Sequence, residues 1–465
     1  MISRNIDLNF LYLIFGLLIL FENFVGIFNN TFLINSELSI SIFTTIFIFC
    51  VLYEYYFNNL LLKVLNFFFF TFYLLRIFII PILGSEFQTI IFDRNVDIFL
   101  INGSILNLSI HYLILFISIV IINPKFIFKI KKNYFFKKKL LERKIIIILI
   151  LFYLSNILIS ILLLNKYQLS LFWVLFNNIF ALDRVFILLL FFCLYFNKSN
   201  FNTISLTIIT IIHILFFTYL GSKIGLFFVL LIYFFYLSTQ NKIQINVKNF
   251  FYIFISSLIG LFFWHISHIF RVMLHLNIHA HDLSYLFFEI NFYNILDIFS
   301  YRIGYLDFYL EKSLNIIYND IISFEYHIKA FLDKITPGFD IYGIPLTKNV
   351  IHDYYYFNSY NKISDSNSEQ ITLFADSNLI FNDYYFIYYF FSIVILKLAL
   401  LISNKFFKSY ENFMVNTFLL YLFYTWLTGF GLDLFLMNVI HYSFFLFIIF
   451  SLIRIISLIK VYEKN

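Results

Sequence analysis

The sequence predicts an all-α polytopic membrane protein, with about twelve transmembrane helices and one large extracytoplasmic loop at residues 270–380. Three observations carry this. Apolar runs of about 20 residues recur from end to end, the length that crosses a hydrocarbon core of roughly 30 Å. The chain is 62% hydrophobic and only 12% charged, with a mean hydropathy of +0.88, which is too apolar for a soluble fold of this length. The basic residues gather in the links between the runs rather than on a separate domain. Each run must be helical, because lipid offers no partner for free backbone groups. A transmembrane β-barrel would show short alternating segments instead.

The expected spans are 8–27, 38–57, 60–83, 106–123, 145–164, 181–197, 203–220, 222–238 and 249–269. After the long loop they are 381–403, 412–430 and 434–458. Residues 168–180 read as a stretch lying along the interface. The organisation is therefore residues 1–269 with nine helices, 270–380 as the partly helical loop, and 381–465 with three helices. Met1–Asp7 is too short and polar for a signal peptide, so the first run reads as a retained span.

Orientation follows from Lys125–Lys144, which holds nine Lys/Arg and one Glu. Loop charge of this kind marks the cytoplasmic side. Counting from it puts the links with Lys242 and Lys405, and both termini, inside. The links with Glu37 and Glu86 and the long loop then fall outside. The net charge of +6 is thus a topology signal, and no nucleic-acid partner is expected. Cys50 and Cys193 lie within apolar spans and suggest neither a disulfide framework nor a metal site.

The long loop carries 13 of the 26 acidic residues. Its first half has apolar residues at three- and four-residue spacing from Leu283 to Leu332 and reads as helical. Its second half, Thr336–Ser368, is rich in Tyr, Asn, Asp and Ser and reads as irregular. Neither an internal repeat nor a heptad run is present.

One polar pattern stands out. His265, His268, Arg271, His275, His279 and Asp282 fall within roughly a third of a helix circumference at about 100° per residue. No Pro or Gly interrupts Leu261–Arg302, so the ninth span extends out of the membrane as one helix with a polar stripe. Three readings stand for the stripe. It is a packing face whose polar groups satisfy one another, or a cavity wall that binds an anion and supplies a base. The third is a zinc site of His275, His279 and His281 or Asp282, for which no recognised zinc motif is present.

Isolated cations add weight. Arg76 and Arg184 lie within or at the edge of spans, where a charge costs roughly 2.5–3.5 kcal/mol on insertion scales. Arg184 reads as a functional cation, a snorkelling residue, or an ion-pair partner of Glu54. Adjacent Asp183 points about 100° away and need not neutralise it. Lys397 reads as a snorkeller. Lys223 follows Gly221-Ser222 at a helix start, where free N–H groups and a lysine make a compact anion site. Arg302 lies near Asp307 and Glu311, which are its salt-bridge partners if its role is structural. Several such cations around one hollow suit a substrate that carries a pyrophosphate. The base for an acceptor hydroxyl comes from His275, His279, Asp282 or Asp307.

These residues resemble the Wzy-type oligosaccharide repeat-unit polymerases. Gly221-Ser222-Lys223 is similar to a Gly-Ser-Arg element that many members carry between two spans. Tyr301-Arg302-Ile303-Gly304-Tyr305-Leu306-Asp307 looks like their Arg-x-Gly-x-x-Asp segment. Thr336-Pro337 with Pro345-Leu346-Thr347-Lys348 is similar to their Pro-containing segment, and Thr372–Asn382 to the stretch leading into their next span. Lys223 stands where arginine is usual, and Asn382 replaces a usual glycine.

The resemblance implies a C-type membrane glycosyltransferase of the bacterial inner membrane that needs no cofactor or metal. It would polymerise polyprenyl-pyrophosphate-linked oligosaccharide units, with membrane lipid and a chain-length regulator protein as partners. Arg271, Arg302 and Lys223 would hold pyrophosphate. An O-antigen ligase or another polyprenyl-linked glycosyltransferase has the same architecture. A lipid-linked oligosaccharide flippase is the alternative of another class, and the missing repeat and the 110-residue loop count against it.

Overall fold

A computed structural model of the protein describes residues 6–29, 34–75, 77, 88–89, 94–95, 98–126, 139–164, 170–196, 200–219, 244–245, 266, 323–335, 341–346, 373–381, 384–407, 409–428 and 432–462. These residues are helical almost throughout. The helices are α1 (Leu8–Asn29), α2 (Ile34–Phe57), α3 (Leu60–Phe69), α4 (Ile98–Ile122), α5 (Lys139–Leu164), α6 (Leu171–Ile179) and α7 (Leu182–Phe196). They continue as α8 (Asn200–Tyr219), α9 (Phe324–Ile335), α10 (Leu373–Phe381), α11 (Tyr385–Phe406), α12 (Ser409–Thr428) and α13 (Leu432–Tyr462). Four two-residue strands pair antiparallel as Ile6–Asp7 with Gln244–Ile245 and Gln88–Thr89 with Arg94–Asn95.

Among the described residues, five stretches are long and apolar enough to cross a membrane. They are Leu38–Phe57, Asn102–Ile122, Ile145–Leu162, Tyr385–Phe406 and Leu432–Ile455. Tyr12–Phe21, Leu60–Leu74 and Ile204–Tyr219 are shorter apolar helices. Apart from Ile266, the expected spans at 222–238 and 249–269, and the residues of the polar stripe from His265 to Asp282, lie outside the described residues.

Asparagines set the helix ends. Asn58 ends α2 with φ +49°, a left-handed conformation that asparagine tolerates better than most residues. Asn59 then caps α3, its side chain accepting from the Leu61 N–H at 2.9 Å. Asn123, at φ +46°, ends α4 in the same way, and Pro124 follows it. The Asn59 amide donates to Asn123 Oδ1 at 3.4 Å, which brings the α2–α3 turn and the end of α4 to one level. Lys397 donates to the Ile122 carbonyl at that level, so its snorkel ends on a helix C-terminus. A π turn at Phe70–Leu74 continues α3.

The helices pack in a row. α1 lies on α2, α2 on α3 and α4, α4 on α11, and α11 on α12; α12 packs on α7 and α13, and α7 on α5 and α8. The α1–α2 contact is close at Gly16, where a Cβ would stand 2.8 Å from the Ile48 side chain. Phe69 packs on Tyr112 at 3.9 Å, and the Tyr112 hydroxyl donates to Asn66 Oδ1 at 2.7 Å, tying α3 to α4. α12 and α13 are antiparallel: Tyr421 meets Tyr442, Phe418 meets Phe445, and Glu411 pairs with Arg454 at 3.0 Å. Large apolar side chains such as Phe391, Ile395, Phe444 and Phe447 stay exposed on α11 and α13, as acyl chains require.

α9 packs along the head of α13. His327 faces Asp433 at 3.6 Å, and His441 meets the backbone of Ile335. Both steps are eight residues, about 12 Å, so the two helices run in the same direction.

Cys50 and Cys193 are free thiols buried in the packed interior. A membrane-permeant maleimide is expected to leave both unmodified in the folded protein in detergent and to label both after SDS unfolding. Mass spectrometry of the intact protein reads the difference.

Candidate functional site

Of the nine residues that the sequence singles out for chemistry, the structure describes Arg184. Arg76, Lys223, Arg271, Arg302, His275, His279, Asp282 and Asp307 lie outside the described residues. Arg184 stands at the head of α7, on the end of the row opposite the Glu411–Arg454 pair. It is 4% exposed.

Local chain geometry explains its position. α6 ends at Ile179, Phe180 turns the chain, and α7 begins two residues later. The Asn156 side chain fixes the turn by donating to the Phe180 carbonyl. Arg184 folds back over the turn and donates to the Ile179 carbonyl at 3.1 Å, a favourable place for a cation at a helix C-terminus. It also donates to Asn438 Oδ1 at 3.2 Å, and its guanidinium lies 4.3 Å from the Tyr442 ring centroid.

Asp183 points the other way. Its Oδ2 accepts from the hydroxyls of Tyr421 and Tyr442, the latter at 3.3 Å. Tyr442 therefore serves both charges, with its ring face under Arg184 and its hydroxyl on Asp183. The expected pairing of Arg184 with Glu54 does not form. Glu54 is buried at the far end of α2, 3.7 Å from Lys63, while Arg184 is held by α6 and α13. Hydropathy places both residues within spans but says nothing of which ends meet.

Around this core stand groups that sequence reasoning missed. His441 follows Asn438 by three residues on α13 and lies beside Arg184 and the end of α9. The His327–Asp433 pair is wholly buried at the top of the same helix. Asp433 sits in the first turn of α13, where a carboxylate suits the helix dipole, and accepts the Leu434 N–H at 2.8 Å. Burial and the Asp433 carboxylate raise the pKa of Tyr326 above the usual phenol value. Tyr326 thus stays protonated and donates to the Pro345 carbonyl at 2.7 Å. On the outer side of α9, Glu325 and Lys329 pair at 2.6 Å, which lowers the pKa of the first and raises that of the second. Polar residues at 438, 441 and 442 interrupt an apolar run at helical spacing. That signal was available, by the same rule that marked residues 265–282.

A second polar chain lies deeper between α4, α10 and α11. Ser377 and the Tyr389 hydroxyl are 2.6 Å apart, and Tyr389 is 2.7 Å from His111 Nδ1. Among the described residues, no three His, Cys, Asp or Glu side chains gather as a metal set.

The arrangement at the Arg184 end can do two things chemically. Its cation is oriented by a carbonyl, an amide and a ring face. A guanidinium so placed is the type of group that binds a phosphate or carboxylate. Its carboxylate and imidazole are the types of group that accept a proton in general-base chemistry. Comparison with family models, characterised proteins and solved structures finds no match for the chain.

Replacing both Tyr421 and Tyr442 by Phe keeps the ring under Arg184 but strips the carboxylate of both hydroxyl donors. Hydrogen bonds to a charged group contribute about 1.5–3 kcal/mol each. The double variant is expected to unfold at a distinctly lower temperature in detergent than either single variant. With Asp183→Asn present, the penalty of the same pair should shrink.

Proposed function

We propose that this chain is a membrane glycosyltransferase that polymerises polyprenyl-pyrophosphate-linked oligosaccharide units on the outer side of the bacterial inner membrane. In this reading twelve spans cross the membrane, both termini are cytoplasmic, and residues 270–380 form the outer loop. The observation that carries it is the place of Arg184. A buried cation heads an apolar helix, held by the Ile179 carbonyl, Asn438 and the Tyr442 ring, at the level where the end of α9 meets α13.

The chemistry is a single displacement. The bond between the anomeric carbon of the growing glycan and its diphosphate oxygen breaks, and an acceptor hydroxyl of the next lipid-linked unit takes its place. Negative charge builds on the departing diphosphate, where fixed cations lower the barrier most. Arg184 would meet that charge, with Arg271, Arg302 and Lys223 from the neighbouring segments. The proton of the acceptor passes to a carboxylate or imidazole, for which His275, His279, Asp282 and Asp307 are the candidates. The four motif resemblances between residues 221 and 382 support the same reading.

The test is glycan chain length on a gel. Arg184→Gln, Arg271→Ala and Arg302→Ala are each expected to abolish long chains and leave single repeat units, with protein levels in the membrane unchanged by immunoblot. Arg184→Lys keeps the charge but loses the two-point grip and should shorten chains rather than abolish them. Normal chain length in all these variants would refute the assignment. Loss of surface glycan altogether, without single units, would point to a ligase.

A further inference from the structure

Four helices bring polar groups to one buried spot above the α2–α3 turn. Cys50 and Glu54 come from α2, Lys63 and Asn66 from α3, Tyr112 from α4 and Tyr12 from α1. The first two are four residues apart and the next two three apart, so each pair shares one helix face. Tyr112 links the faces. Its hydroxyl donates to Asn66 Oδ1 at 2.7 Å, and the Cys50 thiol lies within hydrogen-bonding reach of it. Glu54 stands 3.7 Å from Lys63 and within electrostatic reach of the Tyr12 and Tyr112 hydroxyls. The Tyr12 ring is held against Phe47 and Phe70, at centroid distances of 6.0 and 4.7 Å. The close approach of α1 to α2 at Gly16, one turn further along α1, permits this placement.

Two donors of this cluster have no protein partner. The Tyr12 hydroxyl and the Asn66 Nδ2 are buried without a hydrogen bond, in residues 3% and 0% exposed. A buried donor left unmet costs its full desolvation, so native interiors satisfy such groups with protein or with ordered water. Charge decides which ligand suits the spot. The Glu54 carboxylate and the Lys63 ammonium already balance each other. A further cation or anion would leave a net charge in a low-dielectric interior, which is expensive. A neutral molecule that both accepts and donates fits, and water is the smallest of these, with two to four polar partners at a typical buried site.

We propose that the spot where α1 meets α2, α3 and α4 is an internal water site, with ordered water bound to the Tyr12 hydroxyl and the Asn66 amide. The water accepts from these two donors and donates to the Glu54 carboxylate. It is the polar joint that ties α1 to the helices behind it. Tyr112–Asn66 and Tyr153–His213 make the corresponding joints elsewhere by direct side-chain hydrogen bonds. The inference is independent of the function proposed above.

Hydroxyl-radical footprinting of the full chain in nanodiscs tests the site. An X-ray pulse makes radicals from water where the water sits, so a buried ring is oxidised when water is bound beside it. Tyr12 is expected to be oxidised several-fold faster than Tyr153, an equally buried tyrosine whose hydroxyl meets His213 directly. Peptide mass spectrometry reads both rates, and a Tyr12 rate as low as that of Tyr153 overturns the proposal. Tyr12→Phe removes the hydroxyl and nothing else. It is expected to lower the unfolding temperature in detergent by a few degrees, because the water loses a partner. An unchanged or higher unfolding temperature means that the hydroxyl had nothing to lose, and this too overturns the site. Exchange of sodium chloride for potassium or choline chloride is expected to leave the wild-type unfolding temperature unchanged. Stabilisation by one alkali cation over choline, lost in Tyr12→Phe, would replace water by a cation and overturn the assignment.

Discussion

A polar side chain inside an apolar bundle must find its partner on another helix, and this requirement organises the structure. Lipid tails are as apolar as leucine, so burying leucine between helices gains little from the hydrophobic effect. Close packing and interhelical hydrogen bonds are left to decide which helices meet. Asn66 and Tyr112 join α3 to α4; Ser377, Tyr389 and His111 join α10, α11 and α4; Tyr153 and His213 join α5 to α8 at 2.8 Å. Asp183, Tyr421 and Tyr442 join α7 to α12 and α13. These links follow the row of helices, and each crosses a contact that apolar packing alone would leave sliding.

The same requirement explains which parts of the fold were legible in the sequence. Apolar runs at 38–57, 145–164 and 412–430 reappear as α2, α5 and α12, displaced by a few residues at their ends. The displacement has a cause. Hydropathy counts apolar residues, but a helix continues through polar ones such as Lys139–Lys144 until a cap or a break ends it. Asn58 and Asn123 supply such ends, through a left-handed backbone that no hydropathy sum registers. α9 falls where three- and four-residue spacing predicted helix, although that spacing could not say what the helix packs against. The π turn at Phe70–Leu74 had no sequence signal at all.

Legibility was lower at the site, and for a physical reason. A charge in an apolar run marks itself, which is why Arg184 stood out. Its partner cannot be read in the same way, because partners are matched by depth and face rather than by sequence distance. Glu54 was plausible by charge, yet it lies at the opposite end of the helical row. Two side chains that do hold it, Asn438 and Tyr442, are neutral and easily passed over in a chain with 35 tyrosines. His327 and Asp433 are each ordinary in sequence and become notable through their shared burial.

Adjacency in sequence also separates Asp183 from Arg184. Neighbours on a helix point about 100° apart, so two opposite charges side by side can serve different helices. Asp183 is satisfied by phenols from α12 and α13, and Arg184 by a carbonyl of α6 and an amide of α13. Tyr442 serves both, presenting its ring to one and its hydroxyl to the other. The consequence is a helix head whose two charges are each tied to other helices. The C-terminal end of α9, carrying partial negative charge, approaches the same level through His441, which lies beside Arg184.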